Sequence, residues 1–140
     1  MPPRTRLDPV VRLEENREER SLQALAAANR KLSDSQDALE QARHRALADH
    51  RAAGPAGFWE LVDSAHGHAR RSVVDAERAL QAARTAQGSS RTSYLSVHAR
   101  AEAIRRIAES RRDELVRAGD QKAAREVDDL VLMRRHRRAG

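Results

Sequence analysis

Apolar residues recur at alternating intervals of three and four along most of the chain, which is the spacing of one face of a long α-helix. In the first third, a single heptad position is apolar apart from Glu18, and its members are Val11, Leu25, Leu32, Leu39 and Ala46. The neighbouring position carries Ala28 and Ala42 but is interrupted by Ser21 and Ser35. This pattern predicts a first helix with a partly apolar seam.

A longer repeat follows in the second part of the chain. Two series with a spacing of seven run side by side: Val73, Leu80, Gln87, Tyr94, Ala101, Ala108, Leu115, and Ala76, Ala83, Ser90, Val97, Ile104, Arg111, Ala118. Eleven of these fourteen positions are apolar, and the repeat outlasts an ordinary amphipathic helix, which is the alternative interpretation. The repeat therefore favours a coiled coil.

Prolines and glycines divide the two helices. Asp8-Pro9 is a typical helix start, and the segment Gly54-Pro55-Ala56-Gly57 forces a turn. We predict one domain, with a helix over 9–52, a turn over 53–57 and a helix over 58–137. The sequence Gly88-Ser89-Ser90 could kink the second helix, but the heptad phase is unchanged beyond it, which favours continuity.

The predicted fold is all-α: an elongated antiparallel two-helix coiled-coil hairpin whose longer second helix overhangs at the C-terminus. A first helix of about 44 residues spans about 66 Å at 1.5 Å per residue. Folding back at Pro55 would bring residue 9 near residue 101 and leave about 35 residues overhanging. The overhang still carries an apolar stripe at Val127, Leu130 and Val131, which suggests a partner outside the chain.

Composition supports helices and excludes several other classes. The hydrophobic share is 39%, but 26 of those residues are alanine and only three are aromatic, so strand formers and large core side chains are scarce. The absence of cysteine excludes disulfides and thiolate metal sites. No apolar run is long enough for a membrane span, and the N-terminus lacks the apolar stretch of a signal peptide. We therefore expect a cytosolic protein.

The net charge of +6 is concentrated at one end. Four of the six excess positive charges are Arg134, Arg135, Arg137 and Arg138, so the preceding residues carry only about +2 with acids and bases interleaved. We do not expect nucleic acid as a partner, because no basic face runs along the helices. A basic-tailed coiled coil that binds nucleic acid or an anionic membrane through these arginines remains the alternative.

Catalysis requires polar groups that converge in a pocket, which a two-stranded coiled coil lacks, so we expect no enzyme, no cofactor and no small-molecule substrate. His66 and His68 are two residues apart and point about 200° apart on a helix, so they do not form a metal site unless the helix breaks at Gly67. A regulator or metal-dependent catalyst built on these two histidines is a third hypothesis. His44 and His50 also point in different directions.

Two of the three aromatic residues, Phe58 and Trp59, are adjacent and follow the predicted turn directly. They could close the end of the coiled coil as a hydrophobic plug. They could equally form a docking site, since aromatic side chains are favoured anchors at protein interfaces.

Taken together, several segments resemble the FliJ/YscO family, the small stalk proteins of flagellar and virulence type III export ATPases. They are the opening Leu7-x-x-Val10-Val11-x-Leu13, the turn with Phe58-Trp59, and the run from Asp120 to Leu130 that ends in Met133-Arg134-Arg135. The resemblance covers nearly the whole chain.

The resemblance implies a non-enzymatic protein at the inner face of the cell membrane. It would bind the export ATPase hexamer, its peripheral-stalk protein, the membrane export gate and, in some members, export chaperones. On this basis the ATPase-binding residues are Val10, Val11, Leu130, Arg134 and Arg135. The gate-binding residues are His50, Phe58, Trp59 and Leu61, although His50 and Ala46 stand where aromatic residues are frequent in the family.

Overall fold

A computed structural model describes residues 2–48 and 57–140. Within these ranges the chain forms two α-helices, α1 (Asp8–Leu47) and α2 (Gly57–Ala139), and no strand. The predicted all-α fold with a longer second helix is confirmed. The first helix ends at Leu47 rather than at residue 52, and residues 53–56 of the predicted turn lie outside the described ranges.

The chain divides into two units, and each helix contributes to both. The terminal unit comprises Met1–Glu18 and Val97–Gly140, and the middle unit comprises Glu19–Ser96. Helix α2 continues through Gly88-Ser89-Ser90 without interruption, and the Thr92 hydroxyl donates a 3.0 Å hydrogen bond to the Gly88 carbonyl oxygen.

Buried and half-buried positions reproduce the predicted heptad spacing. In α1 they are Asp8, Val11, Glu14, Glu18, Ser21, Leu25, Ala28, Leu32, Ser35, Leu39, Ala42 and Ala46. In α2 the two predicted series are buried or half-buried from Val73 to Ala108, but Arg111, Leu115 and Ala118 are exposed. The spacing therefore predicted the contact face correctly as far as Ala108 and not beyond it.

Small residues dominate the most buried positions of both units. In the terminal unit, Ala101 and Ala108 each retain 1% of their accessible surface. In the middle unit Ala83 is similarly buried, beside the larger Leu39 and Leu80. Because alanine contributes little apolar area, contacts between polar side chains carry more weight in aligning these helices than they do in a leucine-rich core.

The helices of the terminal unit are antiparallel. Asp8 contacts Arg112, whereas Glu18, ten residues later, contacts His98. The predicted alignment of residue 9 with residue 101 is therefore wrong by about ten residues. It assumed that the two helices end opposite each other at a turn centred on Pro55, whereas Arg43 contacts Glu77, twenty residues after the start of α2 but only four before the end of α1.

In the middle unit, the contact between Arg43 and Glu77 shows how unequally the helices extend. The Arg43 guanidinium lies 3.4 Å from the Glu77 carboxylate. From this pair, α1 continues only four residues to Leu47, whereas α2 extends twenty residues back to Gly57. On the side of this pair that faces the turn, the helical part of α2 is therefore longer than that of α1.

Candidate functional site

The start of α2 presents three large apolar side chains to solvent in the middle unit. Phe58 and Trp59 are 53% and 58% exposed, and Leu61 is exposed as well, whereas the adjacent Val62 is buried. Both aromatic rings thus keep more than half of their surface, which fits a docking surface better than a plug among the described residues. His50, the fourth predicted member of this set, lies outside the described residues.

The last part of α2 is the second exposed region. Every residue from 113 to 140 is exposed, so this C-terminal segment (residues 113–139) is a helix with no packed face in the terminal unit. Its large apolar residues are Leu115, Val116, Val127, Leu130, Val131, Leu132 and Met133. Four exposed arginines follow within five residues, which makes the end of the helix both apolar and basic.

The structure does not bring the predicted ATPase-binding residues together. Val10 is exposed and Val11 half-buried, close to the point where Asp8 contacts Arg112. Leu130 comes 18 residues after Arg112, which corresponds to about 27 Å along a helix. The five residues therefore form two separate groups, one beside the start of α1 and one in the C-terminal segment.

A cluster of ionic contacts in the terminal unit was not predicted from the sequence. Its centre is Glu14, which is only 2% exposed although it is a carboxylate. Oε1 of Glu14 accepts a 2.9 Å hydrogen bond from Arg17 and lies 3.2 Å from Nε of Arg100. Its second oxygen, Oε2, is buried and has no hydrogen-bond partner among the described residues. Such an acceptor costs stability, because it has lost its hydration without replacement.

Glu18 occupies the next position of the seam and, unlike Glu14, has a hydrogen-bond partner for each of its carboxylate oxygens. Its carboxylate lies 2.5 Å from Nδ1 of His98 and also accepts a hydrogen bond from Arg105. The hydrogen bond to His98, followed by that to Arg105, lowers the pKa of Glu18 below its ordinary value despite partial burial. Arg105 bonds Glu102 as well, so one guanidinium joins carboxylates on both helices.

Asp8 joins the start of α1 to both the preceding residues and α2. The Thr5 hydroxyl donates a 2.8 Å hydrogen bond to its Oδ1, and the Thr5 backbone N–H donates one of 3.1 Å to Oδ2. Arg112 donates a further 2.8 Å hydrogen bond to Oδ1. Arg112 and then Thr5 lower the pKa of Asp8 to about 2. These contacts hold residues 5–8 against α2.

One signal in the sequence could have revealed the cluster. Glu14 and Glu18 continue the three-and-four spacing that runs through Val11 and Ser21, so both carboxylates belong to the seam itself. The residues of α2 that they contact depend on how the two helices are aligned, and that alignment could not be predicted from the sequence.

Of the four histidines considered from the sequence, His44, His66 and His68 lie in the described helices and His50 lies outside the described residues. His66 is half-buried and His68 exposed, as expected for residues on different faces of a continuous helix. Among the described residues, no group of three or more His, Cys, Asp or Glu side chains is arranged to hold a metal ion. None of the described helices contains a segment long and apolar enough to span a membrane.

A comparison with models of known protein families identifies the family of this chain. The model of the family described as flagellar FliJ protein matches residues 3–140. The chain belongs to the FliJ family. FliJ proteins are a non-catalytic family, and membership makes this chain a component of the flagellar protein export apparatus. The sequence did not decide between a flagellar and a virulence export apparatus, and the matching family is described as flagellar.

Searches among curated proteins and solved structures gave no significant match. The assignment to the FliJ family thus comes from the family model, supported by the two-helix fold that the resemblance implied.

Proposed function

We propose that this chain is a non-enzymatic connector of the flagellar export apparatus, which binds the export ATPase hexamer through its terminal unit and the export gate through the start of α2. The observation that carries this proposal is the match to the FliJ family over residues 3–140, in a chain whose α2 leaves 27 residues of helix exposed. A helix without a packed face in its own unit has its apolar side chains available to a partner protein.

The C-terminal segment is the main proposed contact with the ATPase. Leu130 would supply the apolar anchor, and Arg134 and Arg135 the charged contacts, since both chemistries are exposed within two turns of α2. Val10 and Val11 would form a separate contact, because they lie near Arg112 rather than near Leu130. The ATPase's peripheral-stalk protein belongs to the same proposed assembly.

The proposed gate contact is the apolar surface of Phe58, Trp59 and Leu61. Exposed aromatic residues are effective interface anchors, because they bury a large area with few rotatable bonds. His50 completes the set on the basis of the family resemblance. The protein would act at the inner face of the cell membrane, where it could also receive export chaperones.

A second candidate function rests on the arginine tail. Arg134, Arg135, Arg137 and Arg138 are exposed on the last turns of α2, next to exposed Leu132 and Met133. This combination of apolar and basic side chains is suited to an anionic membrane surface. Such binding would fall steeply with salt and disappear when residues 133–140 are removed.

Co-purification tests the leading proposal against the second. The intact chain is mixed with the export ATPase, with the cytoplasmic domain of the gate protein, and with anionic vesicles. We expect capture of both proteins, with ATPase binding reduced by Leu130→Asp and retained by the matched variant Val74→Asp, at an exposed apolar position in the middle unit. Capture by vesicles alone would favour the second candidate and contradict the first.

A further inference from the structure

An open groove of about 900 Å³ lies in the terminal unit, between the residues that precede α1 and the surface of α2. Its apolar side chains are Leu7, Ile107 and Leu115. Ile107 and Leu115 are both more than two-fifths exposed, so nothing within the described terminal unit covers them. We call this surface the N-terminal groove.

The wall formed by residues 4–7 is held in place by the contacts of Asp8. Thr5 donates both its hydroxyl and its backbone N–H to the Asp8 carboxylate, and Asp8 is itself bonded to Arg112. The Asp8 N–H closes the turn by donating to the Thr5 carbonyl oxygen. The groove is therefore preorganised on one side by this short turn and on the other by helix α2.

The charge of the N-terminal groove is strongly asymmetric. Four arginines line it, Arg4, Arg6, Arg106 and Arg111, against one acidic residue, Glu114. Glu114 is bonded to Arg111 at 2.7 Å, and the other three arginines make no ion pair with any described residue. By contrast, Arg17, Arg100, Arg105 and Arg112 in the same unit all contact carboxylates.

Two other grooves of the described structure lack this excess of positive charge. The groove around Arg105 and Arg112 is lined by three acidic and three basic residues. The groove in the middle unit between residues 36–43 and 77–84 is lined by three acidic and two basic residues. The N-terminal groove thus combines apolar side chains with uncompensated positive charge, which the other two do not.

We propose that the N-terminal groove binds an acidic amphipathic helix of a partner protein. Leucine-type side chains of that helix would cover Ile107 and Leu115, and its carboxylates would accept hydrogen bonds from Arg4, Arg6 and Arg106. The α2 face from Arg106 to Leu115 is about 14 Å long, which suits two to three turns of a docked helix. A guanidinium pairs with a carboxylate through two parallel hydrogen bonds, so the arginines would also fix the orientation of the helix.

Other anionic ligands fit this surface less well. A small anion would leave Leu7, Ile107 and Leu115 uncovered, since it has no apolar part. A membrane surface is flat on this scale, whereas the groove is concave between two walls. The inference does not depend on the proposed connector function, because it does not involve the residues named for the ATPase and gate contacts, which are Val10, Val11, Leu130, Arg134, Arg135, His50, Phe58, Trp59 and Leu61.

The direct test is the binding of a synthetic acidic helical peptide to the intact chain by fluorescence anisotropy. The peptide carries leucines on one face and glutamates on the flanks, and a scrambled peptide of the same composition lacks the apolar face. We expect only the first to bind, with affinity falling as salt rises. The triple variant Arg4→Glu, Arg6→Glu, Arg106→Glu should weaken binding at least about tenfold, and Ile107→Ala with Leu115→Ala should do the same.

A matched control separates the groove from general attraction to a basic protein. Arg125→Glu changes an exposed arginine of the same helix that does not line the groove, and it should leave the affinity within about twofold of the parent. Equal binding of the two peptides, equal loss in the Arg125→Glu variant, or no binding at all would overturn the proposal. Binding of anionic vesicles that depends on the same three arginines, without peptide binding, would also overturn it.

Cross-linking locates the bound peptide. The chain contains no cysteine, so a single Ser110→Cys substitution places one thiol in the N-terminal groove, and Ser93→Cys places one on an exposed position of α2 in the middle unit. A peptide with one cysteine should form a disulfide with the Ser110→Cys chain in preference to the Ser93→Cys chain. Equal cross-linking to both positions would contradict a specific site.

Discussion

Asp8 and Arg112 are 104 residues apart in the sequence, and their side chains are joined by a 2.8 Å hydrogen bond between Oδ1 and Nη2. The same carboxylate receives two hydrogen bonds from Thr5, so one residue both holds the turn before α1 and aligns α1 with α2. This contact fixes the alignment of the terminal unit. It thereby determines where α2 loses its packed face and the exposed C-terminal segment begins.

The first prediction concerns the pH dependence of stability. The folded-state pKa of Asp8 is about 2, below its ordinary value of 3.8, and that of Glu18 is also lowered. A carboxylate with a lowered pKa stabilises the fold above its ordinary pKa, and this contribution is lost as the pH falls towards the folded value. The Tm measured by circular dichroism should therefore fall as the pH drops from 3.8 towards 2.

Asp8→Asn isolates the contribution of the charge, because asparagine has nearly the same shape and keeps one oxygen that can accept a hydrogen bond. The variant should have a lower Tm than the parent near neutral pH, and the difference should shrink as the pH approaches 2. Asp113→Asn is the matched control, since that side chain is exposed and forms no ion pair among the described residues. A difference between parent and Asp8→Asn that is constant with pH would contradict the assigned role.

The second prediction concerns the buried carboxylate of Glu14. Glu14→Leu removes an unsatisfied buried oxygen and supplies apolar area to the seam, while Arg17 and Arg100 are exposed enough to be hydrated without it. We expect the free energy of unfolding in urea to rise by about 1 kcal/mol. Glu19→Leu, at an exposed neighbouring position, should change it by less than about 0.5 kcal/mol. Destabilisation by Glu14→Leu would show that its ionic contacts outweigh the cost of its burial.

Glu14 also shows what the sequence could and could not predict. The apolar spacing identified the contact face of both helices, because burial follows helical periodicity. It treated Glu18 only as an interruption of the seam and did not single out Glu14, because carboxylates are rarely buried unless paired and their partners on α2 are remote in sequence. The alignment of the helices depends on which residues face each other near the turn, and the assumption that both helices end together at Pro55 was wrong, since α2 extends further than α1 beyond the Arg43–Glu77 contact.

The candidate surfaces were predictable to different degrees. Phe58 and Trp59 stand out because aromatic residues are so rare in this chain, and both are exposed as a docking site requires. The N-terminal groove was not predicted, since it joins residues 4–7 to residues 106–115 through the Asp8 contacts. Nothing local in either segment indicates that they meet.

The third prediction concerns the alanine positions in the seam. Ala108 is 1% exposed, so Ala108→Leu has to force extra atoms between the helices of the terminal unit. We expect the free energy of unfolding to fall by about 1–3 kcal/mol. Ala103→Leu, on the exposed face of the same helix, should have little effect. Similar stability of the two variants would indicate that the helices are not closely packed at Ala108.

The fourth prediction concerns Gly88 in the middle of α2. A Cβ atom added there would have no neighbour within 4 Å, and the helix is continuous through this position. Gly88→Ala should therefore increase the free energy of unfolding by about 1 kcal/mol, since alanine loses less conformational entropy in a helix. The reverse change at an exposed site two residues earlier, Ala86→Gly, should lower it by a similar amount. A loss of stability in Gly88→Ala would show that the glycine has a conformational role.

The most direct test of the proposed connector function measures both interactions on the same set of variants. One variant combines Leu130→Asp, Arg134→Glu and Arg135→Glu in the C-terminal segment, and the other combines Phe58→Ala with Trp59→Ala. All of these positions are exposed, so both variants should retain the helix content and Tm of the parent. The measured quantities are the Kd values for the export ATPase hexamer and for the cytoplasmic domain of the gate protein.

We predict that the C-terminal variant binds the ATPase at least about tenfold more weakly and keeps its affinity for the gate domain, and that the aromatic variant shows the reverse. Equal effects of both variants on both partners, or full binding by both variants, would contradict a connector with two separate docking surfaces.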